Sequence, residues 1–203
     1  MSVDADAQGR SSAARPTALG RRSTPTLDGR GQHMSMSHKA FAFDWIGFDR
    51  ELAPILALAL KEDATAPLEA FIDDHLDDLC DPYEGEPLLI DWRALLGVGD
   101  VQEVSDFALT KYYRLVEDFG VGDNWLDLST DLSESQQRAL LGEPFGEKGH
   151  PFDPGRMGAY FQSPERVAEA LRLLQVSGDE RLEQFIGGLS EVVAAKKGLY
   201  VTF

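Results

Sequence analysis

Apolar and polar positions between residues 36 and 203 fall into short blocks of two periods. Ala40-Phe41-Ala42-Phe43-Asp44-Trp45-Ile46 is aromatic-rich and predicts a strand. Phe48, Leu52, Ile55, Leu56 and Ala59 then recur at helical spacing. Pro54 conflicts with a helix begun at Asp49, because an interior proline removes a hydrogen bond, so the helix is placed from Pro54 with residues 48–53 as a lead-in turn. Thr65 reads as the N-cap of the next helix, whose apolar side is Leu68, Phe71, Ile72, His75, Leu76 and Leu79. Asp81-Pro82 ends it, since a proline disfavours helix in the residue before it. A short helix is expected from about Pro87 to Leu96, stopped by Gly97. Asp100 caps a longer one through Val101, Val104, Phe107, Ala108, Tyr112, Leu115 and Phe119, stopped by Gly120.

The second half continues in the same grammar. Residues 125–129 alternate and predict a strand, and Ser133 opens a short helix that stops at Gly142. A loop of about fifteen residues follows, rich in glycine and proline, and residues 157–161 are strand-like. Ser163-Pro164-Glu165 combines an N-cap, a first-position proline and a first-turn acid, which starts a helix to about Val176. Asp179 opens the last helix, which ends in Lys196 and Lys197, cations suited to a helix C-terminus. Residues 199–203 predict a terminal strand. The fold class expected is α+β: a mainly helical single domain over residues 36–203 with a small mixed sheet of up to four short strands. Arg-Ala-Leu-Leu-Gly occurs at 93–97 and 138–142, and Gly-Val-Gly-Asp at 97–100 and 120–123. Their offsets differ, so they mark helix boundaries and not a repeat architecture.

Residues 1–35 read differently. They are rich in Arg, Ser, Gly and Pro, show no hydrophobic period, and predict a disordered tail. Arg21-Arg22 lacks the apolar run of a secretion signal, and Asp4 and Asp6 argue against a transit peptide. Met34 and Met36 stand just ahead of the patterned region and are alternative starts.

Charge changes the picture. The chain carries −16, and residues 36–203 keep 14 of its 19 Lys+Arg and 32 of its 35 Asp+Glu, which brings the body to −18. A body of that sign lacks the basic face that nucleic acid requires. No apolar run approaches the roughly 18 residues of a membrane span. One cysteine excludes an internal disulfide and any multi-cysteine metal site. The expectation is therefore a cytoplasmic protein with no cofactor, no bound metal, no nucleic acid and no membrane contact.

Residues 62–91 hold eleven acids and no Lys or Arg. On a continuous helix, Asp73/Asp77 and Asp74/Asp78 would stack as like-charge pairs, each costing up to about half a kcal/mol. Such a face keeps a protein soluble or docks a basic one, whose approach its field accelerates. The partner-binding candidates are Asp73, Asp74, Asp77, Asp78, Asp81, Glu84 and Glu86. No calcium loop is present. His75 falls in line with the apolar stripe, and Cys80 lies about 140° away from it, so the two do not pair as base and nucleophile. The three tryptophans each follow Asp or Asn, and a cluster of them would add a contact patch.

The second candidate is the loop 142–158 with the strand after it. Lys148, His150, Asp153, Arg156 and Tyr160 supply a base or ligand, an orienter and an anion clamp. An alternative for the same loop is a packed one whose Phe145 and Phe152 plug the core. No nucleophile elbow, zinc-protease, P-loop or kinase motif occurs. Two functional readings follow. The first is an acidic, non-enzymatic interaction protein that binds a basic protein, of inhibitor or immunity type. The second is a small-molecule-binding domain or hydrolytic enzyme with its site at 142–162.

Overall fold

The computed structural model describes residues 36–203, and the expectation for residues 1–35 lies outside them. The first strand, β1 (Lys39–Phe43), is shorter than its aromatic run. Asp44 ends it by accepting the Gly47 N–H at 3.1 Å, which makes Asp44 the N-cap of α1 (Trp45–Glu51) and draws Trp45 and Ile46 into a helix. A second helix, α2 (Ala53–Glu62), follows at once. Pro54 sits in its first turn, where no intrahelical N–H is needed, so the apolar period runs through two abutting helices. α3 (Ala66–Asp74) buries Leu68, Phe71 and Ile72, then stops well before Asp81-Pro82. A single 3-10 turn, Leu76–Asp78, and a long excursion follow it.

The helix expected at 87–96 is reduced to a 3-10 turn, Trp92–Leu95. α4 (Val101–Leu109) starts where predicted, with Asp100 accepting the Glu103 N–H. It ends at Thr110, whose hydroxyl bonds the Phe107 and Cys80 carbonyls. Residues beyond it leave the helix to cover the edge of β1. Tyr112 O accepts the Asp44 N–H at 2.8 Å, Asp118 Oδ1 accepts the Ala40 N–H at 2.9 Å, and Ala40 O accepts the Phe119 N–H. These bonds satisfy an edge that would otherwise stand open.

Residues 125–129 are not a strand. They begin α5 (Trp125–Asp131), with Trp125 and Leu128 buried at helical spacing while Leu126 faces out. α6 (Glu134–Leu141) carries a capping box between Ser133 and Gln136. The glycine-rich stretch then holds three two-residue strands, β2 (Glu143–Pro144), β3 (Gly146–Glu147) and β4 (His150–Pro151). β5 (Ala159–Gln162), α7 (Pro164–Gln175), α8 (Glu183–Ala194) and β6 (Gly198–Thr202) complete the chain.

The main sheet has the order β1-β6-β5-β2, and all its pairings are antiparallel. β3 and β4 form a separate hairpin. Alternation assigns the sheet's two faces. Phe41, Phe43, Phe161 and Tyr200 face a core completed by α1–α4, and Ala40, Leu199 and Val201 face another completed by α5–α8. The first core is aromatic: Phe48 stacks on Phe161 at 5.5 Å, and Phe161 on Tyr200 at 5.1 Å. The result is an α+β domain in three layers. No helix among the described residues is long and apolar enough to cross a membrane.

Two buried titratable groups oppose each other in pH. His38 is fully enclosed against Trp125, Phe185 and Phe203. Its Nδ1 accepts the Val121 N–H and its Nε2–H donates to Leu140 O, both at 3.3 Å, so the ring is held neutral. Burial lowers its pKa from 6.5 to about 4. Its contribution to stability is full above about 6.5 and is lost as pH falls toward 4. Asp106 on α4 is raised from 3.8 to about 7, first by burial and then by the charges of Asp81 and Glu103. Its contribution is full below about 3.8 and is lost as pH rises through 7. Asp106→Asn should therefore gain stability relative to the natural chain by about 3 kcal/mol between about pH 4 and about pH 8. Urea unfolding across that range checks this, and parallel stability curves for the two proteins would refute it.

Candidate functional site

The long excursion between α3 and α4 carries the acidic candidates, and it divides them into two groups. Asp73 and Asp81 have partners within the fold, Asp73 at the surface and Asp81 buried. Asp73 takes a bidentate grip from Arg93, at 2.7 and 3.0 Å, and accepts the Trp92 indole N–H at 2.9 Å. The guanidinium also bonds Glu69 and lies 4.6 Å from the centre of the Trp92 ring. Arg93 first, then Trp92, holds the Asp73 carboxyl below its ordinary pKa. Asp81 is buried, and its Oδ1 accepts the Tyr83 and Glu84 N–H groups at 2.7 and 3.1 Å. Its backbone pairs with Glu86 and Gly85, closing residues 81–86 into a compact turn. Asp74, Asp77, Asp78, Glu84 and Glu86 are exposed and make no ion pair among the described residues. The helix ends at Asp74, so the expected like-charge stacks on Asp77 and Asp78 do not form.

The excursion also exposes apolar side chains, of which Leu89, Ile90 and Leu95 fall in the stretch expected to be helical. Tyr83, Leu89, Ile90, Leu95 and Val98 are between 53% and 87% exposed, half of the large hydrophobics that face out among the described residues. Their backbone is fixed. Glu103 accepts the N–H groups of Gly97, Val98 and Gly99 at 2.6 to 2.9 Å, which holds the turn that presents Val98. Asp81 does the same for Tyr83. Leu88 and Trp92 anchor the segment by burying into the first core. The sequence does not reveal this surface, because Leu89-Ile90 reads the same in a buried helix and in an exposed turn.

A groove of about 600 Å³ has a mixed lining that includes Asp77, Asp78, Lys111, Arg114 and Lys197. Cys80 also lines it, half-buried, with its thiol pKa raised by burial. His75 caps α3, stacks on Phe71 at 4.3 Å and donates from Nδ1 to the Phe71 carbonyl. Among the described residues no three His, Cys, Asp or Glu side chains converge to hold a metal. The tryptophans do not cluster: Trp92 belongs to the first core and Trp125 to the second.

The second candidate set is only partly assembled. His150, Asp153 and Arg156 line one cleft of about 410 Å³ with Asp63, Asp100 and Gln102. No hydrogen bond joins His150 to Asp153. Asp153 Oδ1 instead accepts the Gly158 N–H at 2.7 Å, and its backbone N–H donates to Gln102 Oε1. Lys148 lies at the exposed β3–β4 turn, outside that cleft. Tyr160 points to the opposite face of the sheet, its ring 6.4 Å from Phe203. Phe152 is buried and Phe145 packs beside it, so the loop is a plugged one.

Comparison of the chain with known protein families, curated proteins and solved structures finds no match.

Asp73 and its neighbour Asp74 separate the two roles of acid in this segment. Asp73→Ala leaves the buried Trp92 indole N–H without its acceptor and should cost about 1–2 kcal/mol. Asp74→Ala should stay within about 0.5 kcal/mol of the natural chain. Urea midpoints of the two variants make the comparison, and equal midpoints would remove Asp73 from its structural role.

Proposed function

We propose that the protein is a non-enzymatic interaction module that binds a basic protein through the face built by residues 74–98. One observation carries this reading. Apolar side chains stand exposed beside turns that Asp81 and Glu103 fix at Tyr83 and Val98, and the segment also carries exposed acids that make no ion pair among the described residues. Protein contact surfaces combine an apolar centre with a polar rim in this way. Turns already fixed before contact reduce the ordering cost of binding. The complementary partner presents a cluster of Lys and Arg around an apolar patch that receives Leu89 and Ile90. The acidic rim speeds encounter and rejects acidic competitors, while the apolar centre sets the lifetime of the complex. An inhibitor of immunity type that neutralises a basic toxin or nuclease is the concrete form we favour. A single half-buried thiol suits a cytoplasmic setting.

The test uses the full chain as immobilised bait in a lysate of its native source, followed by titration of the purified partner. The expected partner is a basic protein that binds one to one and weakens as salt rises. A triple variant, Asp74→Lys, Asp77→Lys and Asp78→Lys, and separately Ile90→Asp, should each weaken binding by about tenfold or more. Asp73 is left untouched because it holds Trp92. A partner that is not basic, or one that binds both variants as well as the natural chain, would overturn the reading.

A further inference from the structure

We propose that the cleft between α6 and α7 is a binding site for a small aromatic carboxylate. It lies apart from the acidic face and does not depend on that reading. The cleft encloses about 340 Å³, in the lower range of small-molecule sites. Helix spacing builds its walls: Ser135, Arg138 and Ala139 share one face of α6, and Arg166, Ala170 and Leu173 one face of α7. Gly142 closes α6 at φ 102°, where a Cβ would stand 2.6 Å from the Phe161 carbonyl oxygen. The chain therefore turns tightly under the cleft.

Three features define the ligand. Trp45 supplies flat apolar surface beside Ala139, Ala170 and Leu173, and it is the one tryptophan that is only half-buried; the Phe161 ring is stacked into the first core. Gln162, 5% exposed, lines the cleft, and its Nε2 donates to the Ala139 carbonyl at 2.9 Å. That bond fixes the amide, and its Oε1, which accepts no hydrogen bond among the described residues and is not sealed from the cleft, can accept one from a ligand N–H or O–H. Arg138 makes no ion pair among the described residues. Arg166 is held only loosely, 3.7 Å from Glu143 and 3.6 Å from Glu169, beyond hydrogen-bond length. In a body of charge −18, two guanidiniums with open hydrogen-bond positions over an apolar cleft select an anion. Glu143 and Glu169 at the same rim disfavour a dianion, which selects a carboxylate over a phosphate ester.

The probe that matches this pattern is 4-hydroxybenzoate, with its hydroxyl for Gln162 and its carboxylate for the arginines. The neutral control is 4-methylphenol. Both are titrated into the full chain while the three tryptophan indole N–H resonances are followed by NMR, with Trp45 assigned through Trp45→Phe. The Trp45 resonance should shift and saturate, while those of Trp92 and Trp125 stay in place. The neutral compound should bind about tenfold or more weaker. Arg138→Gln with Arg166→Gln should remove that advantage, with unmoved Trp92 and Trp125 signals showing that the variant is folded. A shift that does not saturate, equal binding of the two compounds, or an unchanged preference in the double variant would each overturn the proposal.

Discussion

The pairing of the last strand with both of its neighbours is the constraint on which this structure depends. β6 lies between β1 and β5, so residues 198–202 close the sheet from its middle. Their alternation also assigns the two cores. Tyr200 meets Phe41 and Phe161 on one face, and Leu199 and Val201 meet the helices α5–α8 on the other. Aromatic pairs of this kind contribute about 0.5–1.5 kcal/mol each beyond their buried area. Strands from the two ends of the chain meet here, and neither core is complete before they do.

Helices cover both faces of the sheet, and the connections between elements run over the surface. The connection between α3 and α4 is the longest of these, and it is ordered by its acids. Asp73, Asp81 and Glu103 each accept two or more N–H groups, from Trp92 and Arg93, from residues 83–84 and from residues 97–99. Carboxylates in such settings are structural caps, however acidic the segment looks. Asp74, Asp77, Asp78, Glu84 and Glu86 have no such duty and face water. The same sequence feature thus yields a scaffold and a charged rim, and only burial and partners distinguish them.

Much of the fold is legible in the sequence where local chemistry decides it. Asp100, Ser133 and the Ser163-Pro164 pair mark helix starts that the structure keeps. The alternation of residues 199–203 identifies the terminal strand. The failures lie where tertiary bonds override a local period. Leu126 and Leu128 alternate like a strand, yet Trp125 and Leu128 bury at helical spacing against the second core. The helix from Asp100 stops early because Tyr112 and Asp118 bond the backbone of β1, a partner some seventy residues earlier. Arg-Ala-Leu-Leu-Gly forms a 3-10 turn at 93–97 and the end of a helix at 138–142, so the string alone specifies neither. Of the candidate residues, the exposed acids were readable from composition. The apolar anchors Leu89 and Ile90 were hidden, because an exposed and a buried leucine look alike until the helix around them is absent. In the glycine-rich loop, His150, Asp153 and Arg156 line one cleft without bonding one another, and Tyr160 is turned away by the strand's own alternation.

The central proposal is that the basic protein partner is bound through residues 74–98. Hydrogen–deuterium exchange of the full chain, with and without its captured basic partner, tests it most directly. The account predicts new protection confined to peptides covering residues 74–98, with those covering 143–158 unchanged. Protection over 143–158 with none over 74–98 would contradict it.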